Sequence, residues 1–218
     1  MNPAIAFDMD GVLIDSQPLH YELDMQVLRD AGYPAKLSTV TPYTGMSNPD
    51  RWPKYKKDLS LQVTPERLIE MAEQAMRDLF TKADLTAIDG IPALLQKIKE
   101  AGICCGVASS SSHELIILVL EKIGVKQYFN FIVSGEDVTK GKPAPDIYMK
   151  AAEKANTAPK RCIAIEDAPA GILAAKNAGL KCIAYRNPST IGQEFTNADY
   201  VIDKFSECFP IIEEFLHE

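Results

Sequence analysis

The chain has 218 residues, 46% of them hydrophobic and 24% charged, with a formal net charge of −7. Such a composition excludes a disordered chain and supplies a sizeable core, for one domain or for one core carrying an insertion. The acidic balance argues against nucleic acid and anionic membrane as partners; a small anionic substrate stays admissible, because local cations or a metal ion can reverse the field inside a pocket.

The odd count of five cysteines argues against a disulfide framework. Cys104, Cys105, Cys162 and Cys182 lie in or beside short apolar runs and read as reduced core residues, and no Cys/His spacing suggests zinc. The first residues carry no basic segment and no long apolar run, so a signal peptide is not expected. No apolar run approaches the roughly 18 residues that suggest a membrane span. The expected location is cytoplasmic, and the expected state a monomer.

In chain order, Ile5-Ala6-Phe7 reads as a buried strand ending in a turn at Asp-x-Asp-Gly. Residues 18–31 read as a helix with Leu19, Leu23, Val27 and Leu28 on one face, stopped by Gly32. Residues 33–53 show no clear period. Thr64-Pro65 opens a second strong helix running to about Ala83, with proline favourable at the first helical position. After Gly90 strands and helices alternate. A helix carries Leu94, Leu95 and Ile98, a strand covers 103–108, and a helix covers 113–123. A strand at 131–133 precedes a helix over 146–155. A strand at 162–165 leads to a helix over 171–178, then to strands at 182–185 and 200–202 and a last helix over 207–216. Apolar strands alternating with helices imply a parallel sheet covered on both faces. The fold class is α/β: a doubly wound, Rossmann-like parallel sheet core, residues 1–16 and 86–218, with a small helical cap, residues 17–85, inserted after the first strand.

Four features fall at the carboxyl ends of predicted strands, where open α/β sheets bind their ligands. Asp8-Met9-Asp10-Gly11 offers one carboxylate to attack phosphorus, a second to exchange protons, and a glycine that lets main chain approach a phosphate. Ser109 and Ser110 follow the second strand, where a hydroxyl, amides and a helix N-terminus can hold phosphate oxygens. The run Ser111-Ser112-His113-Glu114 fits a capping box, which explains Ser111 and leaves Ser109 free. Lys142, between Gly141 and Pro143, is a fixed cation suited to phosphate. Glu166-Asp167 are adjacent carboxylates suited to a hard cation such as Mg2+. Taken singly, each has a plain alternative: an acidic turn, a cap, a solvated lysine, an N-cap aspartate before Pro169. All four alternatives holding together is a poorer explanation than one phosphoryl-transfer site.

The ordered set DxDGVLxDS, strand-end serine, GKPxPD and EDxxxG resembles the haloacid dehalogenase superfamily over nearly the whole chain. The stretches KPAPDIY and EDAPAGILAAKNAG resemble its branch of β-phosphoglucomutase-like enzymes and sugar-phosphate phosphatases. The resemblance implies that Asp8 is the nucleophile. It makes Asp10 the general acid/base and a Mg2+ ligand through its main-chain carbonyl. Ser109 and Lys142 are then the phosphate-binding hydroxyl and lysine, and Asp167 the acidic metal ligand, with Glu166 supporting it. DxD also sets the chain apart from the true dehalogenases, which lack the second Asp. Without a cation, Asp8, Asp10, Glu166 and Asp167 clustered around one point would force at least one carboxyl to stay protonated; Mg2+ would relieve this and bridge nucleophile and phosphoryl oxygen.

The insertion resembles the family's small cap. His20 on its first helix is a candidate to reach substrate, a half-buried helix histidine being the alternative. The segment Thr44-Gly45-Met46-Ser47-Asn48 resembles the cap's specificity loop. Mutases of this branch carry an arginine after the serine to grip a second phosphate, and this chain has Asn48 there, with Arg51 the nearest cation. Trp52 and Tyr55 suit either stacking on a sugar or packing of the cap. The expected function is therefore a Mg2+-dependent phosphatase acting on a small phosphorylated metabolite, a sugar phosphate, through an aspartyl phosphate. The alternative is a sugar phosphomutase. A receiver-like phospho-switch fits less well, since it would not carry its nucleophile in DxDG on the first strand or need a cap.

Overall fold

The structure, a computed structural model, describes residues 3–44, 46, 48–190 and 195–216, with the main chain alone at Pro49. The chain divides into two compact units, one formed by Met1–Asp15 with Leu85–Glu218 and the other by Ser16–Asp84.

Strand β1 (Ala4–Phe7) is followed by four helices, α1 (Gln17–Asp30), α2 (Leu37–Val40), α3 (Asn48–Asp58) and α4 (Pro65–Lys82). The larger unit then resumes as α5 (Ile91–Glu100), β2 (Cys104–Ser109), α6 (His113–Lys122), β3 (Phe131–Ser134), α7 (Asp146–Lys154), β4 (Cys162–Glu166), α8 (Pro169–Asn177), β5 (Lys181–Tyr185), β6 (Tyr200–Ile202) and α9 (Cys208–Leu216). The strands form one six-stranded sheet in the order β3-β2-β1-β4-β5-β6, parallel at every pairing. The doubly wound α/β core expected from the sequence is thus the one observed.

Side chains alternate across this sheet. Ala4, Ala6, Ala108, Cys162, Ala164, Cys182 and Ala184 share one buried cluster with Ile147, Tyr148 and Ala151 of α7 and Ile172, Ala174 and Ala175 of α8. Small residues on both partners let these helices sit close to the strands. The alternate positions Ile5, Phe7, Val107, Ile163, Ile165 and Ile183 are also buried, as expected for strands covered on both faces. All five cysteines are free thiols, four buried and Cys104 half-buried.

The helical unit has its own core, built from Leu23, Val27, Leu28, Tyr43, Trp52, Tyr55 and Leu68 among others. Helix α3 lies where the sequence showed no period. It contains Pro53, which forgoes a main-chain hydrogen bond; burial of Trp52 and Tyr55, both 0% exposed, compensates. Those two rings pack inside the helical unit with no exposed face, which is the packing alternative and not the sugar-stacking one. Thr64 caps α4 by accepting a hydrogen bond from the Arg67 N–H at 3.3 Å. No helix among the described residues is long and apolar enough to cross a membrane.

Candidate active site

The carboxyl ends of β1, β2 and β4 are adjacent in the sheet, and each delivers side chains to one place. Residues 8–14 leave β1 as a tight coil in which the N–H groups of Val12, Leu13 and Ile14 all donate to the Met9 carbonyl, while Gly11 N–H donates to Ile14. Gly11 has φ +77°, and a Cβ there would collide with the Asp167 carboxylate. Only glycine satisfies both the left-handed backbone and this close approach.

Lys142 binds the cluster together. Its Nζ donates to Asp8 Oδ1 at 2.7 Å, to Glu166 Oε1 at 2.6 Å and to the Ala108 carbonyl at 3.1 Å. The Tyr148 hydroxyl donates to the same Glu166 oxygen at 2.5 Å. Ligand oxygens of Asp8, Glu166 and Asp167 lie within 4.8 Å of one another, and all three residues are buried. Glu166 also packs against α8 at Gly171, where a Cβ would overlap its carboxylate.

Burial raises the Asp8 carboxyl to about 7, with Glu166 and Asp10 repelling it further and Lys142 pulling the other way. Asp167 is raised well above the usual carboxylate range by burial and then by Asp8, Glu166 and Asp10. Burial works to lower Lys142, but the Asp8 and Glu166 carboxylates overcome it and hold the ammonium above its ordinary value. One lysine therefore does not balance this group of carboxylates. Glu166 Oε2 is in addition buried with no hydrogen-bond partner, a costly state for a carboxylate oxygen. An all-oxygen, anionic, under-compensated cradle is chemically matched to a hard divalent cation such as Mg2+.

The sequence-derived residues distribute as follows. Asp8, Gly11, Lys142, Glu166 and Asp167 converge. Asp10 joins them through Ser111, whose Oγ donates to Asp10 Oδ2 at 3.4 Å. Ser109 is buried at the end of β2, and Ser110 is exposed. His20, half-buried on α1, has its ring 6.2 Å from that of Phe80 within the helical unit. Asn48 belongs to the same unit, where its Oδ1 accepts from Arg51 Nη2 at 2.5 Å; Gly45 and Ser47 of the proposed specificity loop lie outside the described residues.

Two local expectations are corrected. The cap of α6 is Ser112, which accepts from the Leu115 N–H at 3.3 Å, and not Ser111. Nor is the Ser109 oxygen free, since it accepts from the Ser111 N–H at 3.1 Å. Ser111 is engaged instead with Ser109 through its N–H and with Asp10 through its hydroxyl. Asp167 is not an N-cap either. Ala168 holds that position, with no side-chain cap, which leaves the Asp167 carboxylate for the cradle. Sequence reasoning missed Tyr148, which lies inside KPAPDIY but looks like a core aromatic. It also gave no sign of the buried Asn187, in a polar turn just after β5, whose Nδ2 donates to the Gly11 carbonyl at 3.1 Å.

The sequence profile of the haloacid dehalogenase-like hydrolases matches residues 5–185. The chain belongs to the haloacid dehalogenase-like hydrolase family. It is accordingly an enzyme, and the motifs that carried the resemblance are those gathered at the strand ends. It is similar to the phosphorylated carbohydrates phosphatase of Thermotoga maritima, 28% identical over 180 residues and covering 83% of each chain. It is also similar to the beta-phosphoglucomutase of Bacillus subtilis, 29% identical over 240 residues, covering 99% of this chain and 94% of the other. The crystal structure of CbbY from Rhodobacter sphaeroides in complex with phosphate superposes with a TM-score of 0.82 at 26% identity, covering 95% of this chain and 96% of that one.

Proposed function

We propose that this hydrolase is a Mg2+-dependent phosphatase that removes phosphate from a small phosphorylated sugar through an aspartyl phosphate on Asp8. The observation that carries the reading is the bridge from Lys142 to both Asp8 and Glu166, beside Asp167. It fixes two carboxylates against one ammonium in a site otherwise suited to a cation. Similarity to a phosphorylated carbohydrates phosphatase supports the substrate class.

In this reading an Asp8 oxygen attacks phosphorus. The Asp8 O–P bond forms as the bond from phosphorus to the sugar oxygen breaks, and Asp10 gives its proton to the departing oxygen. Asp10, now a carboxylate, takes a proton from water. The water oxygen bonds to phosphorus, the Asp8 O–P bond breaks, and Asp8 and free phosphate are released. Lys142 orients Asp8 and faces the charge that spreads over the phosphoryl oxygens. The Ser109 hydroxyl hydrogen and the Ser110 main chain would bind those oxygens, with Gly11 letting the main chain pass close to them. Mg2+, held by Asp8, the Asp10 carbonyl, Glu166 and Asp167, would supply neutralising charge where two anions meet. His20 and Asn48 would be the substrate contacts offered by the helical unit.

Similarity to a beta-phosphoglucomutase keeps a phosphomutase as the second reading. Against it stands the engagement of the cations near Asn48. Arg51 lies 3.4 Å from Asp24, and Lys54 2.9 Å from Asp58. Neither is an uncommitted grip for a second phosphate, and the amide of Asn48 cannot make a charge-assisted pair.

A panel of sugar phosphates assayed with Mg2+ tests both readings. Phosphorus NMR is expected to show the ester signal moving to inorganic phosphate, with no need for a sugar bisphosphate. Asp8→Asn is expected to lose about three orders of magnitude or more, as when a nucleophile is removed. Accumulation of an isomeric sugar phosphate, stimulated by the bisphosphate, would establish the mutase instead. Substantial activity in Asp8→Asn would overturn the covalent route.

A further inference from the structure

The loop after β5 reaches back onto the coil that carries Asp8 and Asp10, at two points. Asn187 is buried, 2% exposed, and its Nδ2 donates to the Gly11 carbonyl at 3.1 Å across 176 residues of sequence. Its Oδ1 accepts from the Ser189 N–H at 2.9 Å, its N–H donates to the Tyr185 carbonyl and its carbonyl accepts from Thr190. Ser189 Oγ in turn donates to Asp15 Oδ2 at 2.5 Å. The coil from Asp8 to Asp15 is thus pinned in the middle and at its end.

The middle pin matters chemically. Gly11 directly follows Asp10, so the rotation of the Gly11 residue helps set where the Asp10 carboxyl points. Ser111 Oγ also reaches that carboxyl, at 3.4 Å. Gly11 has no side chain to resist rotation, and its positive φ is only one of the conformations open to glycine. The Asp167 carboxylate lies close against Gly11, where a Cβ would meet it, and the hydrogen bond from Asn187 holds the Gly11 carbonyl. Both ends of the side-chain amide are engaged, so its orientation is set: the atom facing a carbonyl oxygen must be the N–H donor.

We infer that Asn187 is a positioning residue for proton transfer. By holding the Gly11 carbonyl it keeps the Asp10 carboxyl aligned with the leaving oxygen. The inference rests on the proposed role of Asp10 as general acid.

The test compares a sugar phosphate, whose alkoxide leaving group needs a proton, with 4-nitrophenyl phosphate, whose leaving group does not. Asn187→Asp has the same shape and keeps an acceptor for Ser189, but turns the donor toward Gly11 into a repelling oxygen. It is expected to cut kcat on the sugar phosphate by roughly 10–100-fold, the scale of a misaligned catalytic group, and on the nitrophenyl ester by less than about 3-fold. The ratio of the two rates does not depend on how much enzyme is folded, so a merely structural defect would lower both equally. Equal losses, or none, overturn the inference. Asn187→Ser, which is too short to reach Gly11, is read in the same way should Asn187→Asp not fold. Asp10→Asn serves as reference. If it shows the leaving-group dependence and the Asn187 variants do not, Asn187 alone loses its role. If the wild type hydrolyses neither ester, or Asp10→Asn shows no such dependence, the reading of Asp10 fails first.

Discussion

Asp8 lies between a lysine that favours its charge and buried carboxylates that oppose it. Its carboxyl rises from an ordinary 3.8 to about 7, chiefly through burial. Between those values the folded, metal-free protein binds more protons than the unfolded chain, so its stability falls as pH rises through that window. Asp167, raised for the same reasons, adds to the effect. Mg2+ in the cradle would compete with these protons and remove the repulsion. The rise in Tm produced by saturating Mg2+ is therefore expected to be larger at pH 7.5 than at pH 5.5. Thermal melts at the two pH values measure it. An equal rise at both would show that the cluster does not titrate against the metal.

Among the elements, β6 is tied to the rest of the sheet in part by one side chain, Asp199. This strand has only three residues and lies at the edge of the sheet. Asp199 precedes it and ties it to its neighbour, its Oδ2 accepting from the Cys182 N–H at 2.8 Å and from Lys176 Nζ at 2.6 Å. Burial works to raise the Asp199 carboxyl, but the Lys176 ammonium and the Cys182 N–H hold it below the usual range. A depressed carboxyl contributes stability that is present above the unfolded value and lost as pH falls through the lower folded value. Asp199→Ala is expected to cost about 1–3 kcal/mol at neutral pH, the usual loss for a charge-assisted bond with its partner left buried. Urea unfolding should show the gap from wild type narrowing below pH 4. A gap that stays constant with pH would mean that the carboxylate charge plays no part.

The whole molecule is two units with separate apolar clusters, and a large ring in one of them tests how far stability is local. Trp52 is 0% exposed, and its indole N–H has no hydrogen-bond partner. Its contribution is therefore packing. Trp52→Ala is expected to cost about 3–5 kcal/mol, and Trp52→Phe, which forfeits no hydrogen bond, about 1–2 kcal/mol. Hydrogen exchange should quicken over α1, α3 and α4 in Trp52→Ala while the amides of β1 and β4 keep their protection. KM for the sugar phosphate should be unchanged in Trp52→Phe. A raised KM with unaltered exchange would return Trp52 to the substrate.

By itself the sequence determined the sheet, the insertion and the cluster. Apolar strands alternating with amphipathic helices leave few other ways to bury so many β-branched and alanine residues. Asp8, Lys142, Glu166 and Asp167 were legible because each sits in a tight motif directly after a strand, where local chemistry already limits the geometry. Helix α3 was hidden because Pro53 breaks the local pattern, and packing of Trp52 and Tyr55 supplies what propensity does not. Only the tertiary structure decided which serine caps α6, that Tyr148 serves Glu166, and that Asn187 grips Gly11. The Tyr148 and Asn187 contacts join residues far apart in sequence, and Ser111 is drawn off to Asp10 across 101 residues while Ser112 makes the local cap, so the local pattern does not distinguish a hydroxyl or amide used for capping from one used at the candidate site.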